Sequence, residues 1–194
     1  MSLAFRRVAC DRGGRRLFDD VSFALAAGEA AVVAGPNGVG KSSLIRIAAG
    51  LLPPAEGAVT ATGRIALLAE AAALDAERTV SEGLAFWAAL DGADGVKVAQ
   101  ALDAVGLAAL AGVPVRMLST GQRRRVAMAR VVGSGAPIWL LDEPGNGLDA
   151  ASLGRLEALI ARHRGGGGIV LAATHLPLAI PGAQTIVLSG EEAA

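Results

Sequence analysis

Residues 30–42 constrain the chain more than any other stretch. They read Ala-Ala-Val-Val-Ala and then Gly35-Pro36-Asn37-Gly38-Val39-Gly40-Lys41-Ser42, with Ser43 following. A short apolar run that stops at glycine reads as a strand buried on both faces. The glycines give a loop whose backbone N–H groups can turn inward around an anion, since no Cβ obstructs those dihedrals. A helix opening at Lys41 would aim its positive dipole end at the same point. Glycine, a four-residue spacer and Gly-Lys-Ser, set between strand and helix, is the pattern of a phosphate-binding loop. Residues Gly35 to Ser43 are therefore expected to hold a nucleotide. Lys41 would reach its β- and γ-phosphates, and Ser42 would offer a hydroxyl to Mg²⁺.

Two further apolar runs, Ile138–Leu141 and Ile169–Ala173, read as strands of the same kind. Longer segments between them, Lys41–Leu51 and Ser152–Arg164, have helical spacing, which predicts a parallel sheet with helices on its faces. Near the amino terminus, Val21, Phe23 and Leu25 alternate with Ser22 and Ala24, as in a half-exposed antiparallel strand. The stretch from Thr79 to Val132 is rich in alanine and leucine and holds little that reads as strand. It is expected to be a helical insert, about residues 76–133, in one domain whose core is about 1–75 and 134–194.

Composition narrows the function. With 18 basic and 18 acidic side chains the net charge is zero, which argues against a general grip on nucleic acid or anionic lipid. Hydrophobic residues make up 53% and charged residues 19%, enough apolar material for a core. The one cysteine, Cys10, cannot form an internal disulfide, so a reducing compartment is the simplest expectation. Met1 to Asp11 lacks the pattern of a secretory signal, and no uninterrupted apolar run reaches the ~18 residues of a spanning helix. A soluble cytoplasmic α/β domain follows as the expectation.

The run Ile138-Trp139-Leu140-Leu141 ends in Asp142-Glu143 and then Pro144. Adjacent carboxylates on a strand point oppositely, so they can share a site only where the strand ends, and Pro144 cannot continue a ladder. Asp142 is expected to hold Mg²⁺, and Glu143 to orient a water and accept its proton. His175 follows Ile169–Ala173 and sits at the same carboxyl edge, where it could donate to a γ-phosphate. His163, in a helix's last turn, reads instead as a cation facing the dipole.

Leu118-Ser119-Thr120-Gly121-Gln122, followed by Arg123-Arg124-Arg125, lies between the phosphate loop and Asp142-Glu143. With Gly147-Leu148-Asp149 and His175 in the same order, the chain resembles the ATP-binding subunits of ABC transporters along essentially its whole length. The resemblance implies an α/β P-loop NTPase fold of the RecA-like kind. Its core is a mostly parallel sheet, with an antiparallel N-terminal β subdomain and an inserted α-helical subdomain. It implies an ATPase in which two copies sandwich two ATP molecules head to tail. Ser119, Gly121 and Gln122 of one copy would cap the γ-phosphate held by Lys41 of the other. By the same resemblance, Arg12 stands where the family usually stacks an aromatic ring on adenine, and a guanidinium plane can take that role. Glu70 stands where a glutamine is usual, and its charge near the γ-phosphate would alter hydrolysis or coupling.

Cys10-Asp11-Arg12, Ala136 to Pro144, Leu156-Glu157-Ala158-Leu159 and Thr174 to Leu178 look most like the branch of the family that serves haem export in cytochrome c biogenesis. That likeness implies integral membrane subunits of the cytochrome c maturation system as partners. It places the chain peripherally on the cytoplasmic face of the inner membrane, docked through Thr79–Leu90, where Phe86 and Trp87 read either as contact residues or, as two aromatics on an apolar helix more often are, as core. Arg123–Arg125 read as a solvated helix face, not a nucleic-acid patch, in a neutral chain with no tyrosine. The alternatives are another small ABC exporter and a non-transport ABC ATPase. A plain nucleotide-binding protein would leave Ser119–Gln122 without a task.

Overall fold

A computed structural model describes residues 1–69, 73–92 and 95–189, the side chain of Val96 apart; Glu70 lies outside the described residues. Strands β1 (Ser2–Arg12) and β2 (Arg15–Ala26) form an antiparallel hairpin, and β4 (Glu56–Thr62) pairs antiparallel along the other edge of β1. Strands β3 (Ala30–Ala34), β5 (Ile65–Leu68), β6 (Ile138–Asp142), β7 (Ile169–Ala173) and β8 (Gln184–Val187) build a second sheet. Its order is β5-β6-β7-β3-β8, and every neighbouring pair is parallel. All five strands therefore deliver their carboxyl ends to one edge, where ligands of such sheets bind.

The apolar runs become strands because both faces of this sheet are covered. Along β6, Trp139 and Leu141 enter one core with Leu156, Ile160 and the helices before the strand. Ile138 and Leu140 enter the other, with Leu3, Phe5, Leu44 and Ile45. Period-two alternation thus sends one strand into two cores. Between β5 and β6 the described elements are helical: α2 (Val80–Leu90), α3 (Gly95–Ala104), two short 3₁₀ turns and α4 (Thr120–Gly133). Their apolar faces, including Val80, Leu84, Leu102 and Val126, share the Trp139 core. The helical segment therefore roofs one face of the sheet.

Three details depart from the sequence reading. Helix α1 spans Lys41–Ala48 and stops short of Leu51, because Gly50 adopts a φ of 71° and Leu51 N–H donates to the Arg46 carbonyl. Strands β4 and β5 carry no strand signal in the sequence. In β4 only Val59 is even half-buried, and β5 is four residues long, so neither carries a full alternation. His163, in the last turn of α5 (Ala150–Gly165), is not the dipole-facing cation expected: its ring stacks on Trp139 at 3.8 Å and 8°. Burial holds its pKa below the ordinary histidine value, so the neutral ring is favoured at pH 7.

Candidate nucleotide site

The loop between β3 and α1 rests on the β1–β2 hairpin. Gly40 has a φ of 109°, and a Cβ there would stand 2.8 Å from Cδ1 of Phe18, so this position requires glycine on both counts. Cys10 lies beneath the loop, 1% exposed, in one apolar cluster with Phe18 and Val39. Burial raises that thiol's pKa. Arg12 stands at the exposed end of the same hairpin. The Lys41 ammonium, itself buried, donates to the carbonyls of Gly35 at 2.8 Å and Pro36 at 3.0 Å. It points into the loop that it would share with a phosphate.

Ser42, in the first turn of α1, donates its hydroxyl to Oδ1 of Asp142 at 2.9 Å. Asp142 is 4% exposed. Burial raises its pKa, and Glu143 adds to that, while the Ser42 hydrogen bond and Arg124 oppose the rise. The strand ends here, as Pro144 predicts. Glu143 turns the chain with a φ of 47°, and its N–H donates to the Ala173 carbonyl at 2.7 Å. This turn releases the Glu143 carboxylate from the strand's alternation. Its Oε2 lies 2.8 Å from Nδ1 of His175 and accepts the His175 backbone N–H at 3.3 Å. Ser42, Asp142, Glu143 and His175 thus converge on one sheet edge from α1, β6 and β7.

The start of α4 faces the same cleft from another side. Ser119 caps the helix: its hydroxyl accepts from Gln122 N–H at 3.2 Å, and the Gln122 side chain accepts from Ser119 N–H at 2.8 Å. This reciprocal box uses two of the donors at the helix start, and the first-turn N–H groups of Thr120 and Gly121 have no acceptor within the helix. A Cβ on Gly121 would stand 2.7 Å from the Gly147 carbonyl oxygen, so the signature helix touches the loop after Glu143. A cleft of about 750 Å³ is lined by Ser42, Asp142, Glu143, Thr120, Asn146 and Gly147, among others.

The arginine run is not a uniform solvated face. Arg123 is exposed, but Arg124 is buried and Arg125 is half-buried. Arg124 donates to the carbonyls of Ala69 (2.7 Å), Glu143 (2.6 Å) and Asp142. Arg125 donates to the Val105 carbonyl at 3.4 Å. Helical spacing carried the missing signal, since Arg124, Met128 and Val131 stand at i, i+4 and i+7 on the buried face.

Residues 18–146 match the family described as ABC transporter. The chain is 59% identical over 186 residues to the cytochrome c biogenesis ATP-binding export protein CcmA of Sphingopyxis alaskensis, covering 96% of each. It is 48% identical to the protein of that name from Zymomonas mobilis, covering 96% of this chain and 84% of that one. The chain belongs to the CcmA family of ABC transporter ATP-binding proteins. An ABC transporter ATP-binding protein from Pyrococcus furiosus superposes with a TM-score of 0.86 at 23% identity, covering 97% of this chain and 98% of that one. An ATP-binding subunit of another ABC transporter superposes at 0.85, also at 23% identity, covering 97% and 86%. Those two likenesses give the fold.

Membership makes the chain a nucleotide-binding protein and an ATPase. The donor set also suits Mg²⁺. Among the described residues no three His, Cys, Asp or Glu side chains gather as a metal cage. The Ser42–Asp142 pair offers two hard oxygens, which matches an ion that takes its remaining ligands from phosphates and water.

Proposed function

We propose that two copies of this chain hydrolyse ATP head to tail and so drive membrane-embedded partners of a haem-export system in cytochrome c maturation. The observation that carries the catalytic part is the Glu143–His175 contact at 2.8 Å, formed across two strands beside the Ser42–Asp142 contact at 2.9 Å. Gly35 to Ser43 cradle the triphosphate, and Lys41 exchanges the Gly35 and Pro36 carbonyls for phosphate oxygens. Ser42 and Asp142 hold Mg²⁺, which when bound offsets charge developing on the β- and γ-phosphates. Glu143 orients the attacking water and takes its proton. His175 steadies that carboxylate and reaches toward the γ-phosphate.

Arg12 stacks on the adenine. In the other copy, Ser119, Gly121 and Gln122 turn the α4 start toward the same γ-phosphate, where the N–H groups of Thr120 and Gly121, which the capping box leaves without an acceptor, can donate. Closing and reopening of the pair supplies the mechanical stroke. The names of the relatives support a role in export for cytochrome c biogenesis. No described helix is long and apolar enough to cross a membrane. In this reading integral subunits span it, and this chain docks on the cytoplasmic face. Phe86, 52% exposed on α2, suits that contact. Trp87 is occupied within the chain, its Nε1–H bonded to the Ala73 carbonyl and its ring 3.6 Å from the Arg130 guanidinium.

Glu143→Gln tests the reading. Turnover should fall by roughly 10²–10⁴ with ATP binding kept, and an ATP-dependent dimer should accumulate in size-exclusion chromatography. A wild-type rate would remove Glu143 as the base, and hydrolysis by a strict monomer would remove the head-to-tail arrangement. Recovery of cytochrome c maturation subunits from solubilised membranes tests the partner assignment.

A further inference from the structure

We infer that Arg124 is a positioning residue of the hydrolytic reaction, a staple that ties the ends of β5 and β6 to α4 and fixes Glu143. The inference rests on the assignment of Glu143 as base. The β5–β6 ladder ends at the Leu68–Leu141 pair. Beyond it, the backbone at Ala69, Asp142 and Glu143 runs past the last paired residues of that ladder. Asp142 is buried and Ala69 and Glu143 are half-buried; carbonyls withdrawn from water need donors, and Arg124 brings them from outside the sheet. One nitrogen of its guanidinium donates to Ala69, and another to Asp142 and Glu143. The donors of a guanidinium are fixed in a planar fork, so they locate these carbonyls relative to each other.

Glu143 is the residue that needs holding. Its φ of 47° is one that a side-chain-bearing residue keeps only when its surroundings impose it. The bonds imposing it are Glu143 N–H to Ala173, Asn146 N–H to the Glu143 carbonyl at 3.1 Å, and Arg124. The third of these comes from α4, whose capped start is Ser119. One rigid helix therefore carries both the signature end and the guanidinium. A shift of that helix on engaging nucleotide reaches Glu143 through hydrogen bonds.

The test uses Arg124→Gln and Arg124→Lys in the full-length chain, each alone and combined with Glu143→Gln. Single-turnover ATP hydrolysis, ATP affinity, melting temperature and hydrogen exchange over residues 142–147 are measured. Arg124→Gln should lower the hydrolysis rate about 10- to 100-fold, the cost of a misplacement on the order of 1 Å, with ATP affinity nearly unchanged. In the Glu143→Gln background the same change should cost less than about twofold, because the group being positioned has gone. Arg124→Lys keeps the charge without the fork and should share the loss; it carries the test if Arg124→Gln does not fold. Amide exchange at Glu143 and Asn146 should quicken in both. Equal losses in the two backgrounds, full activity in the lysine variant, or unchanged exchange would overturn the inference. A Glu143→Gln protein that hydrolyses at the wild-type rate would instead defeat the base assignment, leaving exchange at residues 142–147 to decide the staple.

Discussion

Gly121→Ala probes the contact between the signature helix and the loop that follows Glu143. The added Cβ would lie 2.7 Å from the Gly147 carbonyl oxygen, a backbone atom with no rotamer to yield. Ordinary contact needs at least about 0.5 Å more, so α4 and the loop must separate by that amount. Overpacking of this kind costs about 1–3 kcal/mol. For a chain of this length each kcal/mol lowers the melting temperature by about 2–4 °C, which gives a fall of roughly 2–12 °C. The contact lies within one chain, so the fall should appear in differential scanning calorimetry without nucleotide. Displacing Gly147 also moves Asn146, whose N–H holds the Glu143 carbonyl, so hydrolysis should slow by up to about 100-fold. A variant that melts within a degree of wild type would show that helix and loop are not in contact, and the reasoning would fail.

Asp142→Asn should abolish ATP hydrolysis yet raise the melting temperature in EDTA at pH 7. Burial raises the Asp142 pKa, so the folded state binds its proton more tightly than the unfolded chain. Stability from that group is full below the unfolded value and falls as pH rises, so the variant's advantage should vanish toward about pH 4. A lower melting temperature at pH 7 would contradict this. Asp149 has the opposite sign: accepting the Ser152 N–H at 2.7 Å lowers its pKa, so its stabilisation is present at neutral pH and lost on acidification. The melting gap between wild type and Asp149→Ala should therefore close below about pH 4, and a gap unchanged at pH 3 would refute the cap. Phe86→Asp should leave the melting temperature nearly unchanged, as exposed substitutions do, while reducing recovery with membrane subunits. Undiminished recovery would place the docking surface elsewhere.

What the sequence disclosed was set by the length scale of each interaction. The phosphate loop and the Asp142-Glu143 strand end are contiguous, and glycine, lysine and carboxylate in those positions have few other uses. The end of β6 at Asp142 could be read from Pro144 alone. The Glu143–His175 contact spans 32 residues, yet both were placed at one edge because each follows an apolar run. Arg124 was misread because its partners are carbonyl oxygens, which every residue carries and no pattern marks. His163 was misread for a related reason: position in α5 suggested a charge, whereas stacking on Trp139 from another element decided the matter. Strand β4 has an almost wholly exposed burial pattern, so its place was set by the free edge of β1 and by nothing in its own sequence.

Cys10 gives the molecule a native reporter. It is the chain's one thiol, 1% exposed, and it clusters with Phe18 of the hairpin and Val39 of the loop. A thiol reagent reaches it when the packing around it opens, so the labelling rate measures that opening without any engineered probe. Ligands that tighten the loop would slow the modification, and the ratio of rates would give their grip on it in free-energy units.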